Sequence, residues 1–133
     1  MSKPFFSYSV PRINSLVFKL ADYCNQGCTY CYRENDKERP ARIMSDEMIS
    51  AAVGKYVDFL ESKGNARSVV YLIWHGGEPL LAGISKFKAL MEMQARIGAG
   101  RGVRFVNSVQ TNGVYLNEEW AELFHENRFL VGV

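Results

Sequence analysis

The sequence predicts an α/β fold built on a parallel sheet. Apolar runs of strand length alternate with stretches of helical period, and polar, Gly- or Pro-containing peptides mark the changes. The run over 68–74, SVVYLIW, is continuously apolar, β-branched and aromatic, the pattern of a strand covered on both faces. Right-handed crossovers follow from this order, and a strand plus a helix is the repeat of both the doubly wound sheet and the (β/α) barrel.

Residues 1–12 form a polar, proline-containing lead-in, and INSLVFKL over 13–20 is the first expected strand. It runs straight into a loop holding all three cysteines, which continues polar through RENDKERPAR. Ser45 then precedes a first helix in which Met48, Ile49, Ala52, Val53, Tyr56, Val57 and Leu60 recur at helical spacing. Acids in its first turn complement the helix dipole, and Gly64 after Lys63 ends it. The strand over 68–74 stops at HGGEP. A second helix spans about 84–97 with Phe87, Leu90, Met91 and Ala95 on one face, and GAGRG closes it. VRFVNSVQ is a third strand ended by TNG, and Asn117 caps a third helix, EEWAELFHEN, carrying Glu118 and Glu119 in its first turn. FLVGV opens a fourth strand. Its open edge and uncovered apolar face predict a truncated portion of a longer protein that aggregates when alone.

At 133 residues, 47% hydrophobic and 23% charged, the chain suffices for one modest core. A net charge of +2 without any Lys/Arg run argues against nucleic acid as a partner. The N-terminus breaks its apolar residues with Lys3, Pro4, Pro11 and Arg12, unlike a signal peptide, and the longest apolar run, 69–74, is far too short to cross a bilayer. No membrane partner and a cytoplasmic location are therefore expected, where thiols persist reduced as ligands or catalysts.

In either candidate fold the cysteine loop, HGGEP and QTNG would follow successive strands and meet on the rim formed by the C-terminal strand ends. The cysteine loop, CNQGCTYCY, spaces Cys24, Cys28 and Cys31 as C-x3-C-x2-C, with Gly27 where the loop must turn. A structural zinc wants four ligands, and His75 and His125 are the only imidazoles available to complete the set. His125 belongs to the third helix, and His75 would have to come from another strand end. A 4Fe-4S cluster has four iron corners, so three thiolates leave one iron open to a small molecule. GGEP brings two glycines, whose backbone can approach a ligand, and Glu78 to complement a cation. Asn112-Gly113 also suits an ordinary turn. Trp74 and Tyr32 read as core packing or loop anchoring, Met91 and Met93 as packing.

The C-x3-C-x-aromatic-C pattern, with Tyr30 as the aromatic, resembles the signature of the radical S-adenosylmethionine enzymes. The resemblance implies the N-terminal portion of a partial (β/α) barrel, about three βα units plus a fourth strand, over 13–133. It implies a 4Fe-4S cluster on Cys24, Cys28 and Cys31, S-adenosylmethionine on the open iron, and Tyr30 beside the adenine. Gly76, Gly77, Glu78 and Pro79 would receive the methionine ammonium; the strand end Gln110, Thr111 and Asn112 would approach the ribose and methionine carboxylate. Reductive cleavage would then yield a 5′-deoxyadenosyl radical that abstracts hydrogen from a substrate. MSDEM, WHGGEPLLAG and QTNGVYLNEEWAELFHENRFLVGV, in this order with the cysteine loop, resemble the front half of anaerobic sulfatase-maturating enzymes. That family implies oxidation of a Cys or Ser of a sulfatase to formylglycine, a protein or peptide substrate and an external one-electron reductant. Other peptide-modifying radical enzymes, an inactive cluster-binding fragment, an electron-transfer module and a zinc-stabilised interaction domain are the competing readings. The general base and auxiliary clusters of the family are expected beyond Val133.

Overall fold

The computed structural model describes residues 15–32, 41–64 and 68–133; the lead-in, Ile13 and Asn14 lie outside the described residues. The chain runs β1 (Ser15–Ala21), α1 (Asp46–Ser62), β2 (Ser68–Gly76), a 3-10 turn (Pro79–Ala82), α2 (Ile84–Gly98), β3 (Val103–Gln110), α3 (Glu118–Glu126) and β4 (Leu130–Gly132). The strands lie in the order β1-β2-β3-β4, every pair parallel. Each strand neighbours the next in sequence, so successive right-handed crossovers place all helices on one face. This is the singly wound arc of a (β/α) barrel; a doubly wound sheet would reverse its order.

Register and burial define the two faces. Phe18 pairs with Trp74, and Trp74 with Val109; these residues, with Leu20, Val70 and Leu72, are buried in the core beneath the helices. Val17, Lys19 and Tyr71 lie exposed on the opposite face. The expectation that β2 is covered on both sides therefore needs correction, because Tyr71 is 39% exposed. A continuous apolar run specifies no particular layer above each face.

Two of the helices, α1 and α3, start where a side chain satisfies a free N–H group, whereas α2 starts at Gly83 without a side-chain cap. Ser45 Oγ accepts from Met48 N at 3.2 Å, and Asn117 Oδ1 accepts from Trp120 N at 3.0 Å. On α1 the buried stripe is Ile49, Val53, Val57 and Leu60, narrower than expected; Ala52 is exposed and Met48 is 61% exposed. On α2 the buried residues are Phe87, Leu90, Met93 and Gln94, whereas Met91 is half-buried and Ala95 exposed. The face is turned by a buried amide network. Asn107 Oδ1 accepts from Trp74 Nε1 at 2.9 Å and Gln94 Nε2 at 3.0 Å, while Asn107 Nδ2 donates to Gln94 Oε1 at 2.8 Å. Satisfied in this way, two amides can lie in an apolar core and key α2 to β2 and β3.

An aromatic cluster seals α3 against the core: Phe87 meets Trp120 edge-on with centroids 5.1 Å apart, and Phe124 meets Phe129 at 4.9 Å. One polar atom breaks the pattern. Tyr56 Oη is buried without a hydrogen-bond partner among the described residues, and burial pushes its phenol pKa up. Tyr56→Phe is therefore expected to leave stability unchanged or raise it by up to about 1 kcal/mol in urea unfolding, since it removes an unmet desolvation cost. A loss of that size instead would show that the hydroxyl is engaged.

Candidate cofactor site at the strand rim

The rim is assembled by backbone before any side chain enters. Leaving β1, the chain is held beside its own return segment: Met44 N donates to Leu20 O at 2.9 Å, and Asp22 N to Arg42 O at 3.1 Å. Asp22 Oδ1 accepts from Arg42 N at 2.7 Å, closing the base of the cysteine loop. The end of β2 is pinned to that base, with Gly77 N donating to Ala21 O and Glu78 N to Tyr23 O, each at 2.8 Å. Gly76 makes this approach possible. Its φ is +134°, and a Cβ there would fall inside contact distance of the Ala21 carbonyl oxygen.

Glu78 joins β2 to β3. Its carboxylate is 1% exposed. Oε1 accepts from Leu80 N at 2.9 Å, starting the 3-10 turn in which Pro79 needs no donor, and from Thr111 Oγ1 at 2.7 Å. Oε2 accepts from Asn112 N at 2.8 Å. Both carboxylate oxygens thus accept from donors inside the protein.

Asn112 completes the ring of contacts. Its Nδ2 donates to Asn25 Oδ1 at 2.8 Å and lies 3.7 Å from Cys24 Sγ, while its Oδ1 accepts from Val114 N at 3.1 Å. Cys24, Glu78, Thr111 and Asn112 are therefore brought together from three strand ends. Cys24 and Cys28 are half-buried, Cys31 is exposed, and all three are free thiols. The loop turns at 28–31, where Cys31 N donates to Cys28 O at 3.1 Å, just after Gly27.

Other expected site residues are placed differently. Tyr30 is 90% exposed. Gln110 lays its side chain over Gly132 of β4, where an added Cβ would collide with it. Tyr32 anchors the loop: Lys19 Nζ sits over its ring, 5.1 Å from the centroid. Trp74 is core, as expected. Two residues escaped the sequence reading. Lys19 was visible as a charge inside an apolar strand, whereas nothing in the chain marked Asn25 as the amide that would meet Asn112.

The donor set bears on which metal group would fit. Among the described residues no three His, Cys, Asp or Glu side chains converge as ligands of a single ion. His75 commits Nδ1 to accepting from Gly76 N at 2.7 Å, and His125 lies in the last turn of α3. A zinc ion, which gathers thiolates at about 2.3 Å and wants four ligands, does not suit these residues. Three thiols on one loop suit a polynuclear iron–sulfur group, whose ligands attach at separate corners.

Comparison with known proteins places the arrangement. Residues 18–133 match the Radical SAM superfamily. A serine-type anaerobic sulfatase-maturating enzyme of Bacteroides thetaiotaomicron is 39% identical over 122 residues, covering 89% of this chain and 28% of that protein. A cysteine-type anaerobic sulfatase-maturating enzyme of Clostridium perfringens is 34% identical over 128 residues, covering 93% of this chain and 33% of that protein. The structure of native anSMEcpe with bound AdoMet and Cp18Cys peptide superposes with a TM-score of 0.71 at 34% identity, over 90% of this chain and 30% of that one. The chain thus spans a third or less of the length of these relatives.

Proposed function

Because the chain belongs to the radical SAM superfamily, we propose that its rim holds a 4Fe-4S cluster on Cys24, Cys28 and Cys31 and binds S-adenosylmethionine beside it. The observation that carries this reading is the convergence of a three-thiol loop with the GGEP turn and Asn112 at neighbouring parallel strand ends. When bound, the cluster supplies the electron for reductive cleavage of S-adenosylmethionine, which opens hydrogen abstraction from a substrate. The chain's own residues hold and orient the cofactor. Gly76 and Gly77 offer backbone carbonyls to the methionine ammonium, and Pro79 turns the chain away behind them. Glu78 fixes Thr111 and Asn112 from inside, so that the strand end Gln110 to Asn112 borders the ribose and carboxylate. Tyr30, exposed on the loop, is free to cover the adenine.

The substrate proposed is a Cys or Ser of a sulfatase, oxidised to formylglycine with electrons from an external one-electron reductant. Relatives named as serine-type and cysteine-type sulfatase-maturating enzymes and the peptide-bound neighbour support it. A cytoplasmic setting is proposed because reduced thiols are needed for the cluster; no described helix is long and apolar enough to cross a membrane.

Anaerobic reconstitution tests the reading. About four irons per chain are expected, with a reduced-state EPR signal that changes on adding S-adenosylmethionine. Cys24→Ala, Cys28→Ala and Cys31→Ala should each abolish loading. A colourless protein with about one zinc, or an EPR signal indifferent to the cofactor, would contradict it.

A further inference from the structure

We propose that Asn112 is a positioning residue that tunes the cluster through Cys24. The inference rests on the cluster-binding reading above and adds to it, because the side chain of Asn112 reaches a proposed cysteine ligand.

The geometry assigns each Asn112 group a separate partner. Nδ2, which carries two hydrogens, donates to Asn25 Oδ1 at 2.8 Å and lies 3.7 Å from Cys24 Sγ, within reach of an N–H···S hydrogen bond. Oδ1 accepts from Val114 N at 3.1 Å, which fixes the rotation of the amide and so which end faces the sulfur. The backbone N–H of Asn112 donates to Glu78 Oε2 at 2.8 Å, tying the residue to a buried carboxylate 34 positions away that also accepts from Leu80 N and Thr111 Oγ1. As a thiol, Cys24 donates weakly towards Asn25 Oδ1 at 3.9 Å. As a metal-bound thiolate it has no proton to give and becomes an acceptor only, so the Asn112 amide is then its side-chain donor across the rim.

The consequence is electrostatic. Reduction adds negative charge to a cluster and its thiolates, and an N–H aimed at a ligand sulfur stabilises that added charge. Asn112 therefore raises the reduction potential of the cluster, making it easier to reduce. Asn112 lies two residues past the end of β3, so one side chain joins the loop after that strand to Cys24.

The test is an EPR-monitored redox titration of the full chain, reconstituted anaerobically, without added S-adenosylmethionine. Asn112→Asp retains an oxygen for Val114 N and the backbone bond to Glu78, and replaces the donor with a charged acceptor. Asn112→Leu removes the donor at similar size. Both variants should hold as much iron as the wild type, with midpoint potentials shifted downward, further for Asp than for Leu. Full iron with an unshifted potential in Asn112→Leu, which removes the donor without adding charge, would overturn the inference, as would iron loss from both variants, which would mark a purely structural role. Wild-type protein that binds no iron would defeat the cluster reading itself, and the inference with it.

Discussion

Gly76→Ala is expected to disable both the fold and the site. At φ +134° the residue occupies a region open in practice to glycine alone, and an added methyl group would be driven against the carbonyl oxygen of Ala21. That oxygen is itself occupied, accepting from Gly77 N at 2.8 Å. Relief would require β1 and β2 to separate where Ala21 pairs with Gly76, beside the base of the cysteine loop. The backbone strain alone costs about 1–3 kcal/mol, and the clash adds to it, so a loss of about 3 kcal/mol or more is expected in denaturant unfolding, with reduced iron loading. Gly54 supplies the control. It lies within α1 with nothing within 4 Å of an added Cβ, so Gly54→Ala should gain up to about 1 kcal/mol from helix propensity. Equal stability of the two variants would mean that the β1–β2 approach is not the constraint.

Glu78→Ala is expected to be comparably severe, for the opposite reason. Here a group is missed, not added. Leu80 N, Thr111 Oγ1 and Asn112 N would lose their common acceptor in a place that water does not reach. Each buried group left unpaired costs about 1–3 kcal/mol, and because the three share one partner the losses will not simply add; about 3–5 kcal/mol in all is expected. Glu78→Gln should fall between. Its oxygen can still serve Leu80 and Thr111, but its amide nitrogen would then meet the N–H of Asn112, donor against donor. Urea unfolding of the three proteins, paired with S-adenosylmethionine binding, separates two roles for the carboxylate. As an internal latch, it should show the order wild type, Gln, Ala in stability. Were it instead a partner for the ligand's ammonium, both substitutions would weaken binding and leave stability nearly untouched.

How far the site could be read from the chain depended on the kind of residue. Cysteines carry their chemistry in the residue type, and their spacing is contained in one loop, so the proposal of Cys24, Cys28 and Cys31 as ligands could be made from the chain alone. Gly76 was legible as a glycine needed for close approach, although not as one needed by Ala21. Glu78 was read as facing a ligand, because a carboxylate beside two glycines suggests a charge waiting for a partner; its partners proved to be Thr111 and Asn112. Among helices, Ser45 and Asn117 announced their caps, since capping is local. The buried face of α2 was misjudged by Ala95 in place of Met93 and Gln94. Gln94 is polar on any hydropathy scale, and only the amide of Asn107 makes its burial affordable.

The sequence by itself determined the order and type of the strands and α-helices, the caps of α1 and α3, and the placing of three thiols in one loop. These depend on local periodicity, backbone preference and residue chemistry, which act within a few positions along the chain. Only the tertiary structure decided that the sheet is singly wound with its helices on one face, that β2 is open on its other side, and that Asn112 reaches Cys24 across 88 positions. Periodicity tells which face of an element is apolar but not what covers it. Likewise, a polar side chain at a strand end finds its partner only when the register of neighbouring strands has brought one within hydrogen-bonding distance.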